Sequence, residues 1–127
     1  MREQYRKMLK GGRLVAACVL VAAILPVLFP APVTANSPQE VVLSYDQAKQ
    51  ALEVRITHPS SFPNAHYIKK VELKKNGQAV SVNEYRSQPE QATFSYVYPV
   101  AVVQGDVLEA TARCSIFGSK TEKLTVP

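Results

Sequence analysis

From Glu40 onward, apolar positions recur with a period of two, in runs short enough to be strands. Val41, Leu43 and Tyr45 share one face of the run Glu40–Tyr45. Leu52, Val54 and Ile56 alternate with Glu53, Arg55 and Thr57. A third run leaves Tyr67 and reaches Lys75, but Ile68 is out of phase with Val71 and Leu73, which predicts a bulge near Lys69 and Lys70. Asn76-Gly77 is a strong hairpin signal, with a return strand over Gln78–Tyr85. Phe94, Tyr96 and Tyr98 alternate with Ser95 and Val97 and read as strand core. Val107–Cys114 sets Leu108, Ala110, Ala112 and Cys114 on one face, and Lys120–Val126 closes the series. The intervening segments Asp46–Gln50, Ser87–Gln91, Gln104–Asp106 and Phe117–Ser119 carry turn residues, and no stretch beyond residue 36 has the caps and period of a helix. The pattern predicts an all-β fold, a seven-stranded antiparallel immunoglobulin-like β-sandwich.

The first 35 residues belong to a different class. Arg2, Arg6, Lys7, Lys10 and Arg13 against Glu3 form a basic lead, Leu14–Phe29 is apolar with one Pro at position 26, and Val33-Thr34-Ala35 offers small residues ahead of Asn36. This predicts a secretory signal peptide over residues 1–35, cleaved after Ala35, with residues 36–127 as the exported, periplasmic domain. The 16-residue apolar core is short for a spanning helix, so an uncleaved membrane anchor is the alternative. Val15-Ala16-Ala17-Cys18 is like a lipoprotein box but precedes the apolar run, and is set aside. Without the leader, ten Lys and Arg face nine Asp and Glu, so the basic balance of the chain belongs to the leader and no nucleic-acid footprint is expected. The 92 remaining residues suffice for one core. Cys18 departs with the leader and Cys114 is left alone, which in an exported protein implies a buried thiol, an intermolecular bridge or a metal thiolate.

Candidate chemistry gathers around one loop, His58-Pro-Ser-Ser-Phe-Pro-Asn-Ala-His66, which holds both histidines of the chain. In an antiparallel succession the second strand runs up into His58, the third starts down from His66 and the sixth runs up into Cys114. All three should meet at one rim of the sandwich. Two imidazoles and a thiolate suit Zn, Cu or Fe. Taken singly, Cys114 reads as a core thiol and each histidine as a strand or loop terminator; their convergence is what raises the metal reading. Lys69, Lys70, Lys74 and Lys75 read as a solvated face that also discourages edge pairing, with a lesser role for Lys69 or Lys70 in steering an anion toward the histidines.

His58-Pro59, His66-Tyr67-Ile68 entering a strand, and Cys114-x-x-x-Gly118 resemble the ferrous-iron-binding domain of the superoxide reductase and desulfoferrodoxin family, over roughly residues 40–126. The resemblance implies an immunoglobulin-like sandwich and non-haem iron (Fe2+/Fe3+, or another divalent metal) held by His58, His66 and Cys114. It also implies one-electron reduction of superoxide at an open coordination position, with a small oxygen species as substrate and an electron-donor protein as partner. The family's site has four histidines and an axial cysteine. Here Phe117 stands where one histidine is expected, and residues 36–57 contain neither a histidine nor the family's early Glu-Lys-His loop, so the ligand set is incomplete. The His-Pro, the longer loop and the His-aromatic-Ile step also resemble the immunoglobulin-like partner subunit of the thiosulfate-oxidation sulfur carrier. That resemblance implies a metal-free module binding another exported protein.

Overall fold

The computed structural model describes residues 36–127; the leader, its cleavage site and Cys18 lie outside the described residues. Seven strands follow one another: β1 (Glu40–Asp46), β2 (Ala51–Thr57), β3 (Ile68–Lys75), β4 (Gln78–Glu84), β5 (Thr93–Pro99), β6 (Val107–Cys114) and β7 (Ser119–Thr125). They form two antiparallel sheets, β1-β2-β5 and β4-β3-β6-β7. This is the all-β, immunoglobulin-like sandwich that the alternation predicts.

The inward positions of both sheets supply the core. Leu52, Val54 and Ile56 of β2 face Val71 and Leu73 of β3 and Leu108, Ala110 and Ala112 of β6, and all are buried. Among the described residues this core spans positions 41–126.

Two local features set the register. Asn76 and Gly77 both have positive φ, 51° and 80°, as a type I′ hairpin requires, and this tight turn lays β4 against β3 in the same sheet. At the other end of β3 the pairing with β6 steps from Ile68↔Cys114 to Lys70↔Arg113, leaving Lys69 as the extra residue of the expected bulge. The bulge lets Ile68 and Val71 both point inward despite their odd spacing. A second irregularity, between Leu73 and Lys74 in the β3–β4 ladder, has no counterpart in the sequence pattern.

The lysines of β3 do not protect an edge, contrary to the sequence reading. β3 lies between β4 and β6, and the edges of its sheet are β4 and β7. Lys69 and Lys74 are solvated, while Lys70 and Lys74 pair with Glu72 and Glu109 at 3.0 and 3.9 Å. Lys70, Glu72 and Lys74 alternate with buried Val71 and Leu73, so they mark one solvated sheet face and carry no information about the strand's neighbours.

Candidate metal centre

Each of the three singled-out side chains is delivered by a strand end. His58 follows β2, and its N–H donates to the Ala92 carbonyl at 2.7 Å. His66 precedes β3 at the close of a turn in which the N–H groups of Ala65 and His66 both donate to Phe62 O. Cys114 ends β6, where its N–H donates to Gly118 O at 2.9 Å. Ser115 ties the last two together: its N–H donates to Tyr67 O, its hydroxyl accepts from Tyr67 N–H at 3.1 Å and donates to Ala65 O at 3.2 Å. The chosen ligand atoms of His58, His66 and Cys114 lie within 4.8 Å of one another.

Gln88 determines the state of His58. The loop 85–92 reads from sequence only as a connection, yet Gln88 is 7% exposed and reaches under the rim. Its Oε1 accepts from Ile68 N–H at 3.1 Å, and its Nε2 donates to the His58 carbonyl at 2.8 Å. These two bonds fix the orientation of the amide. Since Oε1 is an acceptor, its 2.7 Å contact with His58 Nδ1 puts a ring proton on Nδ1. The other ring nitrogen, Nε2, lies 3.2 Å from the backbone oxygen of Asn36, within hydrogen-bond distance. The Asn36 carbonyl accepts there from an Nε2–H, and the same oxygen would stand beside a cation bound in place of that proton.

His66 stands edge-on to His58, with ring centroids 4.6 Å apart and planes at 74°. Its Nε2 is buried and has no partner, the one buried side-chain nitrogen or oxygen in that condition among the described residues. Burial is the main cause that holds His66 below the usual histidine range; the adjoining His58 adds to it and the Asn36 backbone opposes it. A neutral imidazole is the form a metal requires. Cys114 is 2% exposed and free, and its sulfur accepts weakly from Ile116 N–H at 3.4 Å.

The donor set fits a transition metal. Bonds of about 2.0–2.3 Å to nitrogen and sulfur imply donor–donor separations of roughly 3.3–3.8 Å in a four-coordinate shell. The cluster must therefore contract by about 1 Å at its widest, within reach of a side-chain adjustment of half-buried His66. His58 carries the second requirement already, an Nδ1–H held by an amide oxygen so that Nε2 faces the site. Phe117 is 74% exposed and turned to solvent, and contributes nothing to the cluster.

Sequence reasoning missed two members of this site. Gln88 sits in a polar segment with nothing to mark it as buried. The Asn36 carbonyl belongs to a backbone, which no residue type announces. Beside the cluster, Lys69, Lys70, Arg86 and Arg113 line a shallow depression with Tyr67, Glu84 and Tyr85.

No family model matches the chain, and no curated protein matches it in sequence. Solved structures with a similar fold include a superoxide reductase (neelaredoxin) from Ignicoccus hospitalis carrying the substitution E23A. It is 17% identical, with a TM-score of 0.44, over 73% of this chain and 82% of that one. A superoxide reductase in the oxidised state is 16% identical at a TM-score of 0.45, over 72% and 90% of the two chains. A superoxide reductase from Nanoarchaeum equitans is 13% identical at a TM-score of 0.42, over 76% and 100%. These are distant likenesses of fold, and nothing about the site follows from them.

Proposed function

We propose that residues 36–127 form an exported, periplasmic metal-binding domain in which His58, His66 and Cys114 hold one divalent transition-metal ion. Iron is the ion that the resemblance of their motifs implies. The observation that carries this reading is the buried, unpartnered Nε2 of His66, set among the donors of His58 and Cys114. An unpaired buried nitrogen costs about 1–3 kcal/mol, and a bound cation removes that cost.

Gln88 would hold His58 in the ligating tautomer, burial would keep His66 neutral, and Cys114 would bind as a thiolate. A bound redox-active ion such as iron would supply one-electron exchange with a small oxygen species such as superoxide. Lys69, Arg86 and Arg113 of the neighbouring depression, against Glu84 and with Lys70 paired to Glu72, leave it net positive and would raise the local concentration of such an anion. The chain lacks two histidines of the resembled motif, so the reading commits to metal binding first and to superoxide reduction second.

Anaerobic Fe(II) titration of the 36–127 protein tests it, with Zn(II) and Cu(II) in parallel. Binding of one ion, with a thiolate-to-iron charge-transfer band on oxidation that disappears in Cys114→Ala and His66→Ala, is the expected result. Absence of binding by all three metals removes the reading.

A second reading rests on a separate observation. Phe62 and Phe117 are each 74% exposed and Ile116 is 60% exposed, on the two loops that Ser115 joins at the rim. A metal-free module would use this apolar rim to bind an exported protein such as a sulfur carrier. Phe62→Ser with Phe117→Ser would then abolish co-elution with the purified carrier, while the three metals would have no effect on it.

A further inference from the structure

The segment ahead of β1 is tied down along its length. Gln39 N–H donates to Thr57 O at 2.8 Å, Lys120 Nζ donates to Gln39 O at 2.7 Å, and Pro38 is buried. Ser37 packs so closely on Gly118 that a Cβ there would collide with its Oγ and approach its Cα at 3.1 Å. These contacts carry Asn36 over the rim, where its carbonyl oxygen lies 3.2 Å from His58 Nε2. The nitrogen and oxygen of one residue are about 3 Å apart by covalent geometry. The backbone nitrogen of Asn36 is therefore within about 6 Å of His58 Nε2.

We infer that the α-amine of Asn36, created when the leader is removed, is a fourth donor to the metal, with the Asn36 carbonyl beside it. The step is hydrolysis of the Ala35–Asn36 peptide bond: water gives its hydroxyl to the Ala35 carbonyl carbon and a proton to the departing nitrogen. An amide nitrogen has no lone pair to give, because it is delocalised into the carbonyl. A terminal amine loses its proton with an ordinary pKa of about 7.7–8.0, and a metal takes its lone pair readily near neutral pH. Three nitrogens and one sulfur then face the ion where the chain's side chains offer only two nitrogens and one sulfur. His58 Nε2 and Asn36 O, 3.2 Å apart, would then both lie beside the one cation. Maturation of the precursor would thus assemble the site, and the uncleaved chain would be a poor binder.

The inference rests on the metal-binding reading above and on cleavage after Ala35, and its test separates the three. The full chain exported by a bacterial host is first examined by mass spectrometry, where a mature N-terminus other than Asn36 overturns it. Residues 36–127 with a free Asn36 amine and the same protein retaining Ala35 are then titrated with Fe(II) anaerobically and with Zn(II). Matching circular dichroism shows that both are folded. The Asn36 form is expected to bind more than about tenfold tighter, and selective acetylation of its α-amine should abolish the difference. Equal affinities that both depend on Cys114 would overturn the amine as donor and leave the metal reading standing. No binding by either form would remove both.

Discussion

Gln88 is the residue on which the chemistry of the rim depends most directly. It joins the end of β2 to the start of β3 through three hydrogen bonds, at 2.7, 2.8 and 3.1 Å, all within the buried interior. Gln88→Leu keeps the volume and removes every one of them. Ile68 N–H and His58 Nδ1–H are then left without acceptors. At about 1–3 kcal/mol for each buried unsatisfied group, a loss of roughly 2–6 kcal/mol is expected in urea denaturation of the metal-free protein. The ring of His58 is also freed to move its proton to Nε2, and metal affinity should fall by a further 10–100-fold or so. A Gln88→Leu protein of unchanged stability would show that the amide does not hold His58. His58, His66 and Cys114 are legible in the sequence because parity along an antiparallel chain puts three strand ends at one rim. Gln88 is not, because the burial of a loop glutamine is decided by the shape of the cavity under it. The Asn36 carbonyl is illegible for a related reason: what brings it to His58 is the docking of Ser37 on Gly118.

At the level of elements, that docking can be separated from backbone strain by two glycines. Gly77 and Gly118 have φ of 80° and 93°, and an L side chain at either costs about 1–2 kcal/mol. Around Gly77 an added methyl meets nothing within 4 Å, whereas at Gly118 it meets Ser37. Gly77→Ala and Gly118→Ala should therefore lose similar stability from strain, and Gly118→Ala should in addition dislodge the lead ahead of β1. Amide hydrogen exchange at Gln39, whose N–H donates to Thr57 O, reports this directly. Faster exchange is expected in Gly118→Ala alone; equal exchange in the two variants would mean that the lead is not held by this contact. The strands themselves are legible because burial on one face writes a period of two into β2 and β6. The bulge at Lys69 is legible because Ile68 breaks phase with Val71. The position of β3 inside its sheet is not, since lysines mark the solvated face of a central strand as readily as an edge.

Across the whole molecule, one open side of the sandwich is closed by tyrosines. β4 and β5 are edge strands of different sheets, and Tyr85, just past β4, stacks on Tyr96 of β5 with centroids 4.2 Å apart and planes at 7°. Its hydroxyl shares a 2.6 Å hydrogen bond with that of Tyr98. Burial pushes the Tyr96 phenol up to about 12, aided by Tyr85, and burial with the Tyr85 hydrogen bond pushes Tyr98 well above the usual phenol range. Both shifts run in the direction that keeps the proton on in the folded state. Above pH ~10, the unfolded chain releases phenolic protons that the folded protein retains. Stability contributed by these phenols is therefore complete below that pH and declines as pH rises through and beyond it, by up to ~1.4 kcal/mol per pH unit for each retained proton. Urea denaturation between neutral pH and pH ~11 should show the decline beginning near pH 10. Tyr98→Phe removes one of the two titrations and leaves Tyr85 to water, so it should start about 1 kcal/mol less stable at neutral pH and fall less steeply at alkaline pH. An alkaline slope as steep in Tyr98→Phe as in the parent would mean that the sheets are not closed by a protonated tyrosine pair and that the loss of stability arises elsewhere.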